Sequence, residues 1–165
     1  MSDVSPAIDG AKFREVLGHF PTGVTVITAA TDDGPVGMAI GSFSSVSLDP
    51  PLVAFYPTRT SGSWPRIEAS GHFCVNVLAD HHQETSGVFA SRAEDKFAGI
   101  EWSPAPSGSP RLHGVLAWID CRIERVVEAG DHFLVMGEVI ALDADGDGPA
   151  GPLLFFKGGY GRFAS

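Results

Sequence analysis

The sequence predicts a mainly β fold with a few helices, in which antiparallel strands form a barrel. Segments rich in β-branched and aromatic residues recur along the 165-residue chain, and turns rich in Gly, Pro and Asp separate them. Strands and helices do not alternate as they do in βαβ units, which argues against a Rossmann fold. The chain is expected to form one domain over residues 1–165, with a flexible N-terminal segment at residues 1–10.

One amphipathic helix is predicted before the first strand. Its apolar residues recur three or four positions apart, as on a single buried helix face. These residues are Phe13, Val16, Leu17 and Phe20. Pro21 and Gly23 end the helix, because proline and glycine disfavour its continuation.

Eight strands are predicted after this helix, each bounded by residues that favour turns. They cover residues 24–28, 36–40, 43–48, 52–56, 73–78, 115–127, 133–142 and 153–157. Turns at residues 32–35 and 128–131 connect neighbouring strands as hairpins. The remaining predicted elements are helices at residues 61–69 and 83–89 and loops at residues 103–110 and 143–152.

Composition and charge narrow the functional classes. Hydrophobic residues make up 44% of the chain and charged residues 19%, which is typical of a globular domain. The formal net charge of −9 argues against a nucleic-acid partner, whose phosphates favour a basic surface. No apolar run is long enough to span a membrane and no secretory signal is visible, so a cytoplasmic protein is expected. Cys74 and Cys121 lie in apolar, strand-like segments and are expected to be buried and reduced.

Standard catalytic motifs are missing from the sequence. It contains no glycine-rich dinucleotide or P-loop motif, no zinc-protease motif and no nucleophile elbow. His81, His82 and Glu84 have the composition of a metal cluster, but adjacent histidines in a polar stretch are more typical of a solvated loop or a helix start. No metal site is therefore expected.

Small polar residues cluster between the apolar strands. Residues 22–23, 37–45 and 58–61 provide glycines, hydroxyl groups and one guanidinium. Glycine and alanine allow a flat ring to approach the backbone, while hydroxyls, N–H groups and an arginine can bind a ribityl chain and its phosphate. The same residue types also cap strands and fill turns, and the composition alone favours that simpler interpretation.

An ordered set of motifs resembles one known family. The first, Phe-Pro-Thr-Gly-Val-Thr-Val-Ile-Thr, occupies residues 20–28, and later matches follow almost to the end of the chain. They lie at residues 37–38, 42–53, 73–78, 95–99, 114–117, 130–132, 137–139 and 152–156. Together they resemble the flavin reductase-like, FMN-binding split-barrel family, and most closely the short reductase components of two-component flavin-dependent monooxygenases. The resemblance implies a Greek-key-like antiparallel split β-barrel.

The resemblance also implies the residues of a flavin site. The implied flavin-binding residues are Thr22, Gly23, Ala39, Ile40, Gly41, Ser42, Ser44, Ser45, Arg59, Ser61, Trp64, Lys96 and Phe97. Among them, Arg59 and Ser61 are the implied phosphate ligands. Relatives often carry Thr, Ser or Asn at the positions of residues 39–41, so backbone groups are expected to make the contacts there.

For activity, the resemblance implies hydride transfer from NADH or NADPH to FMN or FAD, with FMN the expected flavin. His132, in a Gly-Asp-His turn, and Tyr160 are the implied contacts of the nicotinamide dinucleotide. The transfer needs no acid, base or nucleophile from the protein, which agrees with the missing catalytic motifs. The resemblance further implies a homodimer that completes each flavin site at its subunit interface, and a separate monooxygenase that receives the reduced flavin.

Two other functions stay open on the sequence alone. One is a split-barrel oxidase related to pyridoxamine phosphate oxidase, although its extra basic phosphate-binding residues are not evident. The other is a flavin-binding module without turnover, acting as a sensor or carrier.

Overall fold

The computed structural model describes residues 7–145 and 148–164. These residues form three α-helices: α1 (Gly10–Leu17), α2 (Trp64–Ser70) and α3 (Gln83–Ala90), with a 3-10 turn at Asp80–His82. The strands are β1 (Thr22–Gly23), β2 (Thr25–Thr31), β3 (Gly34–Ile40), β4 (Phe43–Ser47), β5 (Leu52–Phe55), β6 (His72–Val77), β7 (Trp102–Pro104), β8 (Pro110–Leu112), β9 (Ala117–Ala129), β10 (His132–Ala144), β11 (Leu153–Phe156) and β12 (Gly159–Arg162).

The main sheet has seven antiparallel strands in the order β3-β2-β6-β9-β10-β5-β4. Two smaller antiparallel sheets join β1, β11 and β12, and β7 with β8. The prediction of a mainly β, antiparallel fold is therefore confirmed. A closed barrel is not observed, because β3 and β4 form the two edges of the main sheet and no ladder joins them in the described part of the chain.

Helices cover both faces of this sheet. Successive residues of a strand point to opposite faces, and β2 shows this directly. Its Ile27 packs in a cluster that contains Trp64 of α2, whereas its Val26 packs in a second cluster that contains Phe89 of α3. The central strands are consequently buried on both sides, which explains why their sequences are apolar runs rather than alternating patterns.

A glycine on β3 determines how closely α3 approaches the sheet. A Cβ atom added at Gly37 would lie 2.7 and 2.9 Å from ring carbons of Phe89, a side chain that is only 1% exposed. The ring of Phe89 therefore occupies the space that any other residue at position 37 would fill.

All eight predicted strands are present, with shifted ends. The hairpin turn predicted at residues 128–131 is shorter, since β9 continues to Ala129 and only Gly130 and Asp131 separate it from β10. The predicted loop at residues 103–110 is wrong at both ends, because β7 and β8 pair across it. The short strands β1 and β12 were also absent from the prediction. Residues 1–6 and 146–147, in the predicted flexible N-terminus and the predicted loop at 143–152, lie outside the described residues.

The expected buried face of the first helix is not found in the single chain. No residue of α1 is buried, and the four apolar side chains expected to pack are 51–74% exposed. The helix lies at the periphery, where the N–H of Lys157 donates to the carbonyl of Gly18 at 2.9 Å. The helix itself forms as predicted, capped by Asp9, whose carboxylate accepts a hydrogen bond from the N–H of Ala11.

The two cysteines are free and buried, as the sequence predicts. Phe73 pairs with Cys121 and Cys74 pairs with Asp120 across β6 and β9, so the two thiols point to opposite faces of the sheet. Burial raises the pKa of Cys74 to about 12 and shifts the pKa of Cys121 in the same direction. None of the helices within the described residues has the length and apolar character needed to cross a membrane.

Candidate functional site

A cleft of about 390 Å³ opens beside the edge strand β3. Four segments line it: residues 38–41 at the end of β3, the hydroxyl-rich loop at residues 58–63, residues 89–92 with Lys96, and the hairpin residue His132. Its volume lies within the range of small-molecule sites. A larger cavity of about 560 Å³ beside α1 contains none of the implied site residues.

The β3 wall presents backbone to the cleft. As an edge strand, β3 pairs with β2 on one side only, so its other edge is free for a ligand. The side chains along this wall are small at Ala39 and absent at Gly41. A Cβ atom built at Gly41 would lie 3.2 Å from the hydroxyl of Thr22, which places Thr22 directly against this end of the wall. A flat ring can therefore approach the strand closely, as the implied flavin site requires.

The hydroxyl-rich loop is held in place by the β9–β10 hairpin. Thr58 forms a β-bridge with His132, and the N–H of Arg59 donates to the carbonyl of Asp131 at 3.0 Å. The N–H of Phe133 donates to the carbonyl of Pro57 at 2.9 Å. The loop and the hairpin tip therefore form one connected side of the cleft.

Arg59 does not line the cleft. Its Nε donates to the carbonyl of Gly130 at 2.7 Å, its Nη1 lies 3.3 Å from Glu128, and its guanidinium stacks over the ring of Phe133 at 4.9 Å. The side chain thus lies along the hairpin, whereas Ser61, the other implied phosphate ligand, is in the cleft lining. Ser61 also accepts a hydrogen bond from the N–H of Trp64 at 3.1 Å.

Lys96 joins three walls of the cleft. Its ammonium donates to the carbonyls of Phe89 at 3.1 Å and Gly37 at 3.3 Å, and lies 3.5 Å from the hydroxyl of Ser63. Burial lowers the pKa of Lys96, because the charged form loses hydration. The side chain therefore connects the end of α3, strand β3 and the hydroxyl-rich loop.

His132 lines the cleft at the start of β10. Its Nδ1 lies 2.7 Å from a carboxylate oxygen of Asp131, and this hydrogen bond lowers the pKa of Asp131. Because a carboxylate accepts, Nδ1 is the donor in this hydrogen bond. The imidazole is therefore oriented by its own neighbour in the turn.

The other implied flavin residues lie around the cleft rather than in its lining. Ser42 bridges to the backbone of Tyr56, donating to its carbonyl at 3.2 Å and accepting from its N–H at 3.3 Å. Ser44 and Ser45 are exposed on β4, paired with Ala54 and Val53 of β5.

Three further implied residues serve as packing or bridging groups. Trp64 is buried against Phe55 and Phe133, and its indole nitrogen has no hydrogen-bond partner within the described residues. Phe97 packs edge-to-face on Phe89. Tyr160 lies on β12 and shares a 2.8 Å hydrogen bond with Ser86 of α3, so it is not in the cleft with His132.

The structure adds lining residues that the sequence did not single out. They are Tyr56, Gly62, Ser63, Phe89, Ala90, Ser91 and Arg92. The segment 89–92 begins at the end of the predicted helix at 83–89 and precedes the Asp-Lys-Phe motif. This position in the sequence is the signal that could have identified the segment as part of the site. Among the described residues, no group of three or more His, Cys, Asp or Glu side chains could hold a metal ion.

These features fit a flavin. The glycine-lined backbone wall suits the ring, and hydroxyls and N–H groups of the loop suit the polar chain and phosphate. The residues that line the cleft include no nucleophile–base pair, and hydride transfer does not require one.

Comparison with known proteins connects this cleft to a family. The sequence profile described as "Flavin reductase like domain" matches residues 17–164. The chain is 53% identical over 163 residues to a flavin reductase of Pseudomonas putida, covering 98% of this chain and 95% of that protein. It is 52% identical over 157 residues to HsaB, the reductase subunit of a flavin-dependent monooxygenase of Mycobacterium tuberculosis, covering 95% of this chain and 84% of HsaB.

A solved structure agrees with these sequence matches. The NADH:FAD oxidoreductase SgcE6 of Streptomyces globisporus C-1027, solved in complex with NAD and FAD fragments, matches with a TM-score of 0.89 at 37% identity, over 94% of this chain and 93% of that one. The family expected from the ordered motifs is thereby confirmed. The chain belongs to the flavin reductase-like family.

Proposed function

We propose that this chain is an NAD(P)H-dependent flavin reductase that supplies reduced flavin to a separate monooxygenase component. The observation that carries the proposal is the cleft at β3, where a small-residue backbone wall, a hydroxyl-rich loop and an oriented histidine meet in a chain of this family. FMN is the proposed flavin, with FAD as the alternative, and NADH is the proposed donor.

The protein's contribution is binding and orientation. When bound, the flavin supplies the acceptor for a hydride from the nicotinamide ring. The backbone of residues 39–41 forms the wall for the flavin ring, and the loop with Ser61 offers hydroxyls and N–H groups to its polar chain. His132, which lines the cleft, is the proposed contact of the dinucleotide, and Asp131 fixes its ring. Such positioning brings reacting atoms within roughly 3–3.5 Å of each other, and this is what the protein must achieve.

A spectrophotometric assay tests the activity. Purified protein is mixed with FMN or FAD and with NADH or NADPH, and the nicotinamide absorbance band is followed with flavin-free and protein-free controls. Flavin-dependent consumption of NADH is the expected result. A yellow protein without turnover would instead identify a flavin-binding module, and oxidation of pyridoxamine phosphate without added NADH would identify the related oxidase.

The quaternary structure is part of the proposal. We infer that the open seven-stranded sheet belongs to a split barrel and that two chains pair as a homodimer. The exposed apolar face of α1 supports pairing, since monomeric proteins rarely leave such a face uncovered. Light scattering after size exclusion should give twice the 17.4 kDa chain mass. A monomer at micromolar concentration would contradict this.

We propose a monooxygenase component as the partner and the cytoplasm as the compartment. The relative HsaB is named as a monooxygenase reductase subunit, which supports delivery of reduced flavin to an oxygenase. Two free cysteines suit the reducing cytoplasm, the proposed location. Fractionation of the native host with an antibody to the chain tests the location. Hydroxylation by the oxygenase that depends on this reductase and NADH tests the partner.

A further inference from the structure

Three cationic side chains lie on the segments that form the cleft, and two of them are engaged within the protein. Arg59 binds Gly130 and Glu128 of the hairpin. Lys96 donates to backbone carbonyls on two walls and is half-buried. Each of these charges is directed at fixed acceptors of the fold, so neither points freely towards a ligand in the cleft.

Arg92 differs from both. It lines the cleft, its side chain is exposed, and it forms no hydrogen bond or ion pair within residues 7–145 and 148–164. Its guanidinium is therefore free to bind an external anion.

The backbone around Arg92 is nevertheless fixed. The hydroxyl of Ser91 donates to the carbonyl of Val88 at 2.6 Å and accepts from the N–H of Ala93 at 3.2 Å. Lys96 holds the same turn through the carbonyl of Phe89. A free guanidinium thus projects from an anchored turn, which limits the ordering cost of binding.

The net charge of the chain favours a cation beside a bound phosphate. The chain carries a net charge of −9, so the overall field opposes a phosphate. Hydroxyls of Thr58, Thr60 and Ser61 line the cleft but carry no charge. The acidic residues nearest in sequence, Glu94 and Asp95, line a neighbouring depression rather than the cleft. Arginine binds phosphate in a bidentate, charge-assisted manner.

We propose that Arg92 is the residue that recognises the flavin phosphate, and that Arg59 and Lys96 position the cleft walls. This inference rests on the proposed flavin-binding function. It moves the phosphate contact from the loop at Arg59 to the turn after α3.

Flavins with and without phosphate provide the test. Dissociation constants for FMN and for riboflavin, which lacks the phosphate, are measured by flavin fluorescence in the native protein and in Arg92→Gln, Arg92→Lys and Arg66→Gln. Arg66→Gln is the matched control, because Arg66 is exposed on α2 and lines the neighbouring depression instead. Circular dichroism verifies that each variant is folded.

We expect Arg92→Gln to weaken FMN about tenfold while riboflavin changes by less than about twofold. Arg92→Lys should retain part of the FMN affinity, and Arg66→Gln should bind both flavins like the native protein. Equal weakening of FMN and riboflavin, or no weakening of either, would overturn the proposal.

A second arm separates the flavin phosphate from the phosphates of the dinucleotide. The KM values for NADH and NADPH are measured at saturating FMN in the same variants. A raised KM for either dinucleotide with unchanged FMN affinity would assign Arg92 to the dinucleotide and overturn the proposal. Native protein that binds FMN without oxidising NADH would instead contradict the proposed function alone, since the binding arm needs no turnover.

Discussion

His132 illustrates how a single side chain is oriented by its neighbour. Its Nδ1 is held by Asp131, and the residue lines the cleft. If it contacts the dinucleotide, His132→Ala should raise the KM for NADH about tenfold and leave the FMN dissociation constant within about twofold. Steady-state kinetics and a fluorescence titration measure the two quantities. His113→Ala is the control, because His113 shares a hydrogen bond with Ser103 and does not line the cleft. Equal losses in both quantities would contradict the assignment.

Gly37 is the residue whose missing side chain matters most for the position of α3. A methyl group there would collide with the buried ring of Phe89, which would have to shift. Gly37→Ala should therefore lower the free energy of unfolding by about 1–3 kcal/mol, measured by urea denaturation. Gly87→Ala on α3, where nothing lies within 4 Å of the added methyl, should be neutral or stabilising. Equal stabilities of the two variants would show that Phe89 repacks freely.

At the level of elements, the cleft depends on connections between segments that are distant in sequence. Lys96→Met keeps most of the apolar stem but removes the ammonium that joins α3 to β3. We expect faster hydrogen exchange at residues 89–92 and weaker binding of both FMN and riboflavin. The reason is that α3 and β3 lose the hydrogen bonds that connect them, and two carbonyls lose a donor. Lys96→Arg serves as the charge-conserving comparison. Selective loss of FMN alone would instead make Lys96 a phosphate ligand.

The strands were predictable because their signals are local. β-Branched runs and Gly, Pro and Asp turns are properties of neighbouring residues, and all eight expected strands are present. The missed strands are short, and β7 and β12 contain proline or glycine, which disfavour strands locally. β7 and β8 pair with each other and β12 pairs with β11 as local hairpins, whereas β1 pairs with the distant β11. With two to four residues each, these strands are too short to show a pattern in the sequence.

The site was predictable only as a set of segments. The sequence indicated that residues 37–45 and 58–61 supply a wall and hydroxyls, and the cleft draws residues from both. It could not show that the guanidinium of Arg59 folds back on its hairpin, since that depends on Glu128 and Gly130 sixty-nine and seventy-one positions away. Likewise, the apolar face of α1 indicates burial, but not whether its partner belongs to the same chain.

At the scale of the whole molecule, the thiols link folding to pH. Below the ordinary thiol pKa of 9.0 both folded and unfolded chains keep their protons, so the thiols do not change stability there. Above it the unfolded chain releases protons that the folded chain retains, because burial raises the pKa of Cys74 to about 12. The free energy of unfolding should therefore fall as pH rises from 9 towards 12, measured by urea denaturation at several pH values.

A variant isolates this effect from other groups that titrate at alkaline pH. Replacing both cysteines by alanine should reduce the alkaline slope, even if the starting stability is lower. In the native protein at pH 8, a thiol reagent should react slowly with the two cysteines. Unfolding in urea should make both thiols accessible to the reagent. Rapid labelling of the folded chain would contradict the burial on which the slope depends.

The placement of Lys96 has a consequence for solubility. A strand edge with free backbone groups is a template on which another chain can add a strand, and this is how many sheets begin to aggregate. Natural sheets discourage such addition with an inward-pointing charge, and the ammonium of Lys96 sits on the carbonyl of Gly37 at the open edge of β3. The lysine that connects the walls of the cleft thereby also disfavours the addition of a strand from a second chain when no ligand is bound.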